Sequence, residues 1–172
     1  LIDNHDVPRI ASEVPDAAPR RMLQALQFTL PGSPNLYYGV EVGMPGGPDP
    51  ENRGPMRWDL VADDHPEMVW VKRLIALHKQ HRALRVGDFR RIDAEHLLAF
   101  ERHTDKTLES MVVIANPGRQ AVRERLMVPD AYLMDGTPMV DVLGAGPSPV
   151  TVNLVAGFLN VELPPQSVLV LQ

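Results

Sequence analysis

The chain has 172 residues, of which 44% are hydrophobic and 23% are charged, and its formal net charge at pH 7 is −5. This balance predicts a folded globular protein of one or two domains, and the acidic charge without any Lys/Arg-rich run argues against a nucleic-acid partner. No apolar run approaches the roughly 18 residues of a transmembrane helix, and without cysteine there is no disulfide or thiolate metal site. We therefore expect neither a membrane nor a nucleic-acid partner, while localisation and oligomeric state stay open.

The first half of the chain alternates strand-like and helix-like segments. Residues 1–3 predict the end of a buried strand, and residues 17–30 have the spacing of a helix with one apolar face. Residues 35–42 are rich in aromatic and β-branched side chains and predict a second strand. A long Gly/Pro-rich loop over residues 43–59 leads to a second predicted helix at residues 66–83. This order predicts two βα units.

The hydrophobic period changes after Gly87-Asp88, where short strand-like segments follow one another. Turn signals such as Asn116-Pro117-Gly118, Asp135-Gly136 and Gly146-Pro147 separate these segments. The predicted strands cover residues 96–102, 109–115, 124–128, 139–143, 151–154, 159–163 and 167–171. Short strands at this spacing are typical of an antiparallel sandwich. We therefore predict two domains, residues 1–86 and residues 87–172.

Two βα units form an incomplete structure by themselves. A parallel strand that is covered on both faces needs neighbouring strands, and the first half predicts too few of them. We therefore expect the first half to be the end of a larger domain, with Leu1 at the start of a fragment.

Polar side chains cluster in the stretch DNHDVPR, directly after the first predicted strand. Asp3 and Asp6 supply carboxylates, His5 can exchange protons or hydrogen bonds, and Arg9 can hold a nearby carboxylate ionised. At the C-terminal end of a barrel strand, such residues project into the active site. Because Asp and Asn also form turns and caps, the tetrapeptide alone leaves both interpretations open.

The long loop contains a second pair of charged residues, Asp49 and Arg53. An Asp can accept and an Arg can donate hydrogen bonds, so the pair can bracket sugar hydroxyls. Exposed ion pairs of this kind are also common and weak, so the pair alone does not establish a binding site.

Together and in this order, the two stretches resemble the alpha-amylase family of glycoside hydrolases. The matching text is DNHDVPR, then PGSPNLYYGVEVGMPGGPDPENRGPMRWD, and LPPQSVLVL resembles the closing strand of the family's C-terminal β-sandwich. The resemblance implies an α/β part that forms the last two βα units of a (β/α)8 barrel, followed by an all-β part, the antiparallel β-sandwich. The similarity points to the cyclomaltodextrinase and neopullulanase group, although Val40 stands where the family commonly has a polar or acidic residue.

The resemblance also implies roles for individual residues. Asp6 matches the family's third catalytic carboxylate, which holds hydroxyls of the sugar at the cleavage point and stabilises the transition state. His5 matches the sugar-binding histidine beside it, and Asp49 and Arg53 match loop residues that contact the next sugar. The substrate-binding residues predicted in this way are Asn4, His5, Arg9, Tyr38, Asp49 and Arg53. For Tyr38, which lies in the eighth-strand motif, a purely structural role is the alternative.

The implied function is a retaining glycosidase that acts on α-glucosidic bonds of α-glucans or maltooligosaccharides. No cofactor is predicted, and no residue of this chain is predicted to bind a metal. In the family, the nucleophile and the general acid lie on the fourth and fifth strands, which would precede Leu1. The chain alone is therefore expected to be inactive. Two alternatives remain: an isomerase or transglycosylase of the same family, and a non-catalytic carbohydrate-binding fragment.

Overall fold

The computed structural model describes residues 2–129, 133, 135–144 and 150–172, and the chain divides into two compact units. The first unit comprises Leu1–Phe28 and Gly32–Ala76, and the second comprises Thr29–Pro31 and Leu77–Gln172. The predicted boundary between residues 86 and 87 lies ten residues beyond this division, at the change from helices to strands. As a domain boundary it stays a prediction.

Four α-helices occur in the described ranges: α1 (Ile10–Glu13), α2 (Ala17–Thr29), α3 (Pro66–Gln80) and α4 (Arg82–Val86). Helix α2 confirms the helix predicted at residues 17–30. Helix α3 covers most of the helix predicted at residues 66–83, and the separate helix α4 begins within the last residues of that range. Among the described residues, no helix has the length and hydrophobicity needed to span a bilayer.

Helices α2 and α3 are joined by buried charges in the first unit. The buried Glu67 carboxylate of α3 lies 2.9 Å from Arg21 Nη2 and 3.5 Å from Arg20 Nη2 of α2. Burying a carboxylate is costly unless cations and hydrogen bonds compensate for the lost water. The two arginines offset part of that cost at Oε1, while Glu67 Oε2 has no hydrogen-bond partner among the described residues. The pairing links α2 to α3, the helix that follows the long loop.

The two strands predicted in the first half are absent from its described residues. Ile2 and Asp3 lie outside any strand, and Leu1 lies outside the described residues. The prediction for residues 35–42 is wrong, because Val40–Val42 forms a 3-10 turn that follows Gly39 at a φ of 86°. That left-handed conformation interrupts an extended chain, and the backbone N–H of Val40 donates to Tyr37 O at 3.2 Å instead of to a neighbouring strand.

The second half forms two antiparallel sheets. The eight strands in the described ranges are β1 (Asp88–Ile92), β2 (Leu98–His103), β3 (Met111–Asn116), β4 (Val122–Met127), β5 (Pro138–Val140), β6 (Thr151–Val155), β7 (Phe158–Leu163) and β8 (Ser167–Leu171). One sheet has the order β1-β2-β3-β8 and the other has the order β4-β7-β6-β5. A continuous core contains buried side chains from both sheets, among them Val112 and Ile114 from one and Leu159 and Val161 from the other. The sheets therefore pack face to face, as the sandwich prediction requires.

The predicted strands of the second half are confirmed within a few residues, and β1 is an addition. Only Ile92 of β1 is buried, so this edge strand lacks the alternation that marks a half-buried strand in a sequence. The predicted turn at Gly146-Pro147 lies outside the described residues.

Candidate functional site

The DNHD stretch forms a turn that leads into α1. Asn4 Oδ1 accepts a hydrogen bond from the Asp6 backbone N–H at 2.7 Å, an arrangement typical of an Asx turn. The side chains of His5 and Asp6 are 61% and 64% exposed, and His5 Nε2 lies 3.3 Å from Asp6 Oδ1. The turn interpretation therefore holds for Asn4, while the same turn presents His5 and Asp6 at the surface.

Asp3 holds the start of α1. Its buried carboxylate accepts a hydrogen bond from the Ile10 backbone N–H at 3.0 Å. Burial raises the pKa of Asp3 above its ordinary value of 3.8, while the Ile10 hydrogen bond and the positive charge of Arg9 oppose this rise. Asp3 is thus an anchor of the turn rather than a group at the surface.

The long loop brings Asp49 and Arg53 to the exposed side of this turn. Arg53 Nε lies 3.1 Å from Asp49 Oδ1, and Arg53 Nη2 lies 4.0 Å from Asp6 Oδ1. Arg53 Nε also donates a hydrogen bond to the backbone oxygen of His5 at 3.1 Å. We call His5, Asp6, Asp49 and Arg53 the His5–Arg53 surface. Two segments that are distant in sequence form it, and all four side chains are about half exposed or more.

Arg9 lies below this surface and is fully buried. Its Nη1 donates to Tyr38 O, its Nε donates to Asn52 O at 2.8 Å, and its guanidinium carbon lies 4.1 Å from the ring centroid of Tyr37. A guanidinium that is enclosed by carbonyls and aromatic faces holds the loop in place. The burial of Arg9 gives no support to the direct sugar contact that the sequence predicts.

Tyr38 also contacts the long loop. Its hydroxyl donates a hydrogen bond to Gly54 O at 2.7 Å, and its ring centroid lies 4.4 Å from the Arg9 guanidinium carbon. The residue is 38% exposed, so one part of the ring supports the loop and another part faces solvent. These contacts favour the structural alternative for Tyr38.

No prediction from the sequence covers Asn52, a residue of the long loop that is fully buried and contacts the turn. Its Nδ2 donates to the backbone oxygens of His5 at 2.9 Å and of Val7 at 3.0 Å. In a Pro/Gly-rich loop an Asn is typical of a turn, so the sequence gives no separate signal for this contact.

Comparison with known proteins places these residues in a family context. The family model "Alpha amylase, catalytic domain" matches residues 1–105, which include every residue of the His5–Arg53 surface. A cyclomaltodextrinase of Geobacillus thermopakistaniensis (strain MAS1) is 40% identical over 126 residues, which are 70% of this chain and 21% of that protein. Neopullulanase 2 of Thermoactinomyces vulgaris is 34% identical over 124 residues, which are 70% of this chain and 21% of that protein.

A solved structure shows the same fold at similar identity. Ttha1563 from Thermus thermophilus is 36% identical with a TM-score of 0.79, and the match covers 98% of this chain and 34% of that chain. The chain spans about a fifth of the length of the curated relatives that it matches. Because the catalytic-domain model matches more than half of its residues, this chain belongs to the alpha-amylase family.

Proposed function

We propose that this chain supplies part of the active site of a retaining glycoside hydrolase that acts on α-glucosidic bonds of α-glucans or maltooligosaccharides. Family membership supports the reaction class. The observation that carries the proposal is the His5–Arg53 surface, where residues of two separate motifs meet with Arg53 Nη2 at 4.0 Å from Asp6 Oδ1. The four residues also match positions to which the family resemblance assigns sugar contacts, and this supports a binding role beyond that of a structural turn.

Asp6 is the proposed transition-state stabiliser. Cleavage of a glycosidic bond passes through an oxocarbenium-like transition state, in which positive charge develops on the sugar ring. A carboxylate that the fold already holds in position stabilises such charge without the cost of reorganising water. His5, whose Nε2 lies 3.3 Å from Asp6 Oδ1, is placed to donate a hydrogen bond to the same sugar.

Asp49 and Arg53 are the proposed contacts of the next sugar. Their ion pair at 3.1 Å is exposed, so its oxygen and nitrogen atoms can exchange their mutual contact for hydrogen bonds with hydroxyl groups. The names cyclomaltodextrinase and neopullulanase denote enzymes of α-glucans, which supports a substrate of this class. Asn4 and Arg9 act in this scheme by holding the turn and the loop.

The proposal includes a position in a larger fold. Residues 1–86 would form the end of a (β/α)8 barrel, and residues 87–172 would form the β-sandwich that follows it. The match of residues 1–105 to the catalytic-domain model supports the placement of residues 1–86 in the catalytic domain. In such barrels the loops at the C-terminal ends of the strands build the active site, which is where the His5–Arg53 surface would lie.

Two substitutions in the complete enzyme that contains this chain test the proposal. Asp6→Asn keeps the shape of the side chain and removes its charge, so kcat should fall on the order of 10²-fold with little change in KM. Arg53→Ala should instead raise KM for long α-glucans and spare a small aryl α-glucoside that does not reach the next sugar site. Steady-state kinetics on both substrates separates the two roles.

Asp64→Asn, at an exposed position of the same unit, is the matched control and should behave like the wild type. A kcat of Asp6→Asn within about twofold of the wild type, well under the 1.36 kcal/mol of a tenfold change, would contradict the catalytic role. Product analysis of the wild type then distinguishes hydrolysis from transglycosylation or isomerisation, and no turnover at all would favour the carbohydrate-binding alternative.

A further inference from the structure

The carbonyl groups on either side of Asp6 share one buried donor. Asn52 Nδ2 lies 2.9 Å from His5 O and 3.0 Å from Val7 O, so a single amide spans the residue that carries the proposed catalytic charge. The orientation of this amide follows from its partners, because only the NH₂ group can face two carbonyl oxygens. Asn52 Oδ1 is buried and has no hydrogen-bond partner among the described residues.

Two further hydrogen bonds connect Asn52 and its neighbour Arg53 to the DNHDVPR stretch. Asn52 O accepts the hydrogen bond of Arg9 Nε, and Arg53 Nε donates to His5 O. A Cβ atom placed on Gly46 would lie 2.8 Å from Arg9 Cγ and 3.0 Å from Asn52 Cα, so the loop packs without spare space. The position of the turn is therefore set by the loop rather than by the turn's own bonds alone.

We infer that Asn52 is a positioning residue for the proposed reaction: it sets the position of the Asp6 carboxylate relative to Asp49 and Arg53. This inference rests on the proposed function and deepens it. A rigid link makes the cleavage-point sugar site and the next sugar site one unit, so displacement of either segment displaces the other. Misplacement of about 1 Å can reduce a rate on the order of 10²-fold.

Asn52→Asp gives the sharpest test, because it preserves size and replaces the NH₂ group with a second oxygen. That oxygen would face two carbonyl oxygens, so the turn loses its donor and gains a repulsion in a buried place. We expect kcat to fall by about tenfold or more, even for a small aryl α-glucoside that does not reach Arg53.

Hydrogen exchange of the complete enzyme is the second measurement on the same variant. In Asn52→Asp, the peptide that carries residues 2–9 should exchange faster, while helix α2 of the same unit should keep the protection of the wild type and so report that this unit is folded. Asn35→Asp, which adds the same charge at an exposed position of the same unit, should change neither kcat nor exchange. If Asn52→Asp does not accumulate as folded protein, Asn52→Ala removes the donor without a charge and is judged by the same two measurements.

Wild-type kcat in the Asn52 variants, beside an impaired Asp6→Asn enzyme, would overturn the positioning role alone. A loss of kcat without faster exchange at residues 2–9 would also overturn it. Wild-type kcat in Asp6→Asn would instead contradict the proposed function, so the two failures are distinguishable.

Discussion

At the scale of single residues, the first unit separates side chains that meet solvent from side chains that hold them in place. His5 and Asp6 are exposed, whereas Asp3, only three residues before Asp6, is 2% exposed and bonded to the N–H of Ile10. Two aspartates of one tetrapeptide thus have different environments. The environment of Asp3 matters for stability, because a buried carboxylate resists ionisation.

The raised pKa of Asp3 predicts a pH-dependent cost in stability. The folded state binds the Asp3 proton more tightly than the unfolded state, so the free energy of unfolding falls as the pH rises from 3.8 through the higher folded pKa. Asp3→Asn keeps an oxygen for the Ile10 N–H but cannot ionise, so its stability relative to the wild type should increase across that window. Urea unfolding at a series of pH values measures this difference.

Both tryptophans of the chain, Trp58 and Trp70, lie in the first unit, so their fluorescence reports the unfolding of the unit that contains Asp3. The exposed control Asp64→Asn should follow the pH profile of the wild type. A constant stability difference between Asp3→Asn and the wild type across this pH range would show that ionisation of Asp3 carries no cost.

At the scale of elements, Gly39 decides the local structure of the stretch whose composition predicts a second strand. Its φ of 86° favours glycine, and an added Cβ would lie 2.8 Å from Met44 Sδ and 2.9 Å from Met44 Cβ. Gly39→Ala should cost about 1–2 kcal/mol for the left-handed backbone and about 1–3 kcal/mol for the steric contact. Urea unfolding followed by tryptophan fluorescence measures the loss.

Gly32 provides the matched control for Gly39. It has a φ of 116° in the same unit, and nothing lies within 4 Å of the position that an added Cβ would occupy. Gly32→Ala should therefore show only the backbone cost. A loss in Gly39→Ala of no more than about 1–2 kcal/mol, the cost of the left-handed backbone alone, would mean that the contact with Met44 contributes nothing.

Elements of the second half could be predicted from the sequence because their signals are local. Antiparallel strands such as β7 alternate buried and exposed side chains between turns, and this pattern is visible without knowledge of the partner strand. The segment at residues 35–42 shows the opposite case, because its β-branched and aromatic residues fit a strand while Gly39 directs the backbone into a turn. The four-residue helix α1 is too short to show a helical period.

The site was predictable to the extent that its residues belong to known motifs. The motifs identify His5, Asp6, Asp49 and Arg53, and the structure brings these side chains together at 3.1–4.0 Å. The link through Asn52 could not be predicted, because a buried amide between two backbone carbonyls depends on how two distant segments meet. The supporting contacts of Arg9 depend on the same tertiary arrangement.

At the scale of the whole molecule, the two units contribute different things. The described first unit presents the His5–Arg53 surface, and the second unit has a continuous hydrophobic core with buried side chains from two antiparallel sheets. A retaining glycosidase needs a nucleophile and a general acid on carboxyl groups about 5–5.5 Å apart. The family resemblance assigns neither role to a residue of this chain, since it identifies Asp6 as the third carboxylate and Asp49 as a sugar contact.

The purified 172-residue chain should therefore not hydrolyse an aryl α-maltoside. Without a nucleophile there is no covalent step whose transition state Asp6 could stabilise, so the positioned charge has nothing to act on. Release of the aryl group is the measurement, and slow hydrogen exchange in both helix α2 and strand β3 establishes that each unit of the assayed chain is folded. The same chain with Asp6→Asn is the control for a contaminating enzyme, because contaminating activity would persist in it. Turnover by the wild-type chain that disappears in Asp6→Asn would contradict this prediction, since the chain would then contain a complete set of catalytic groups.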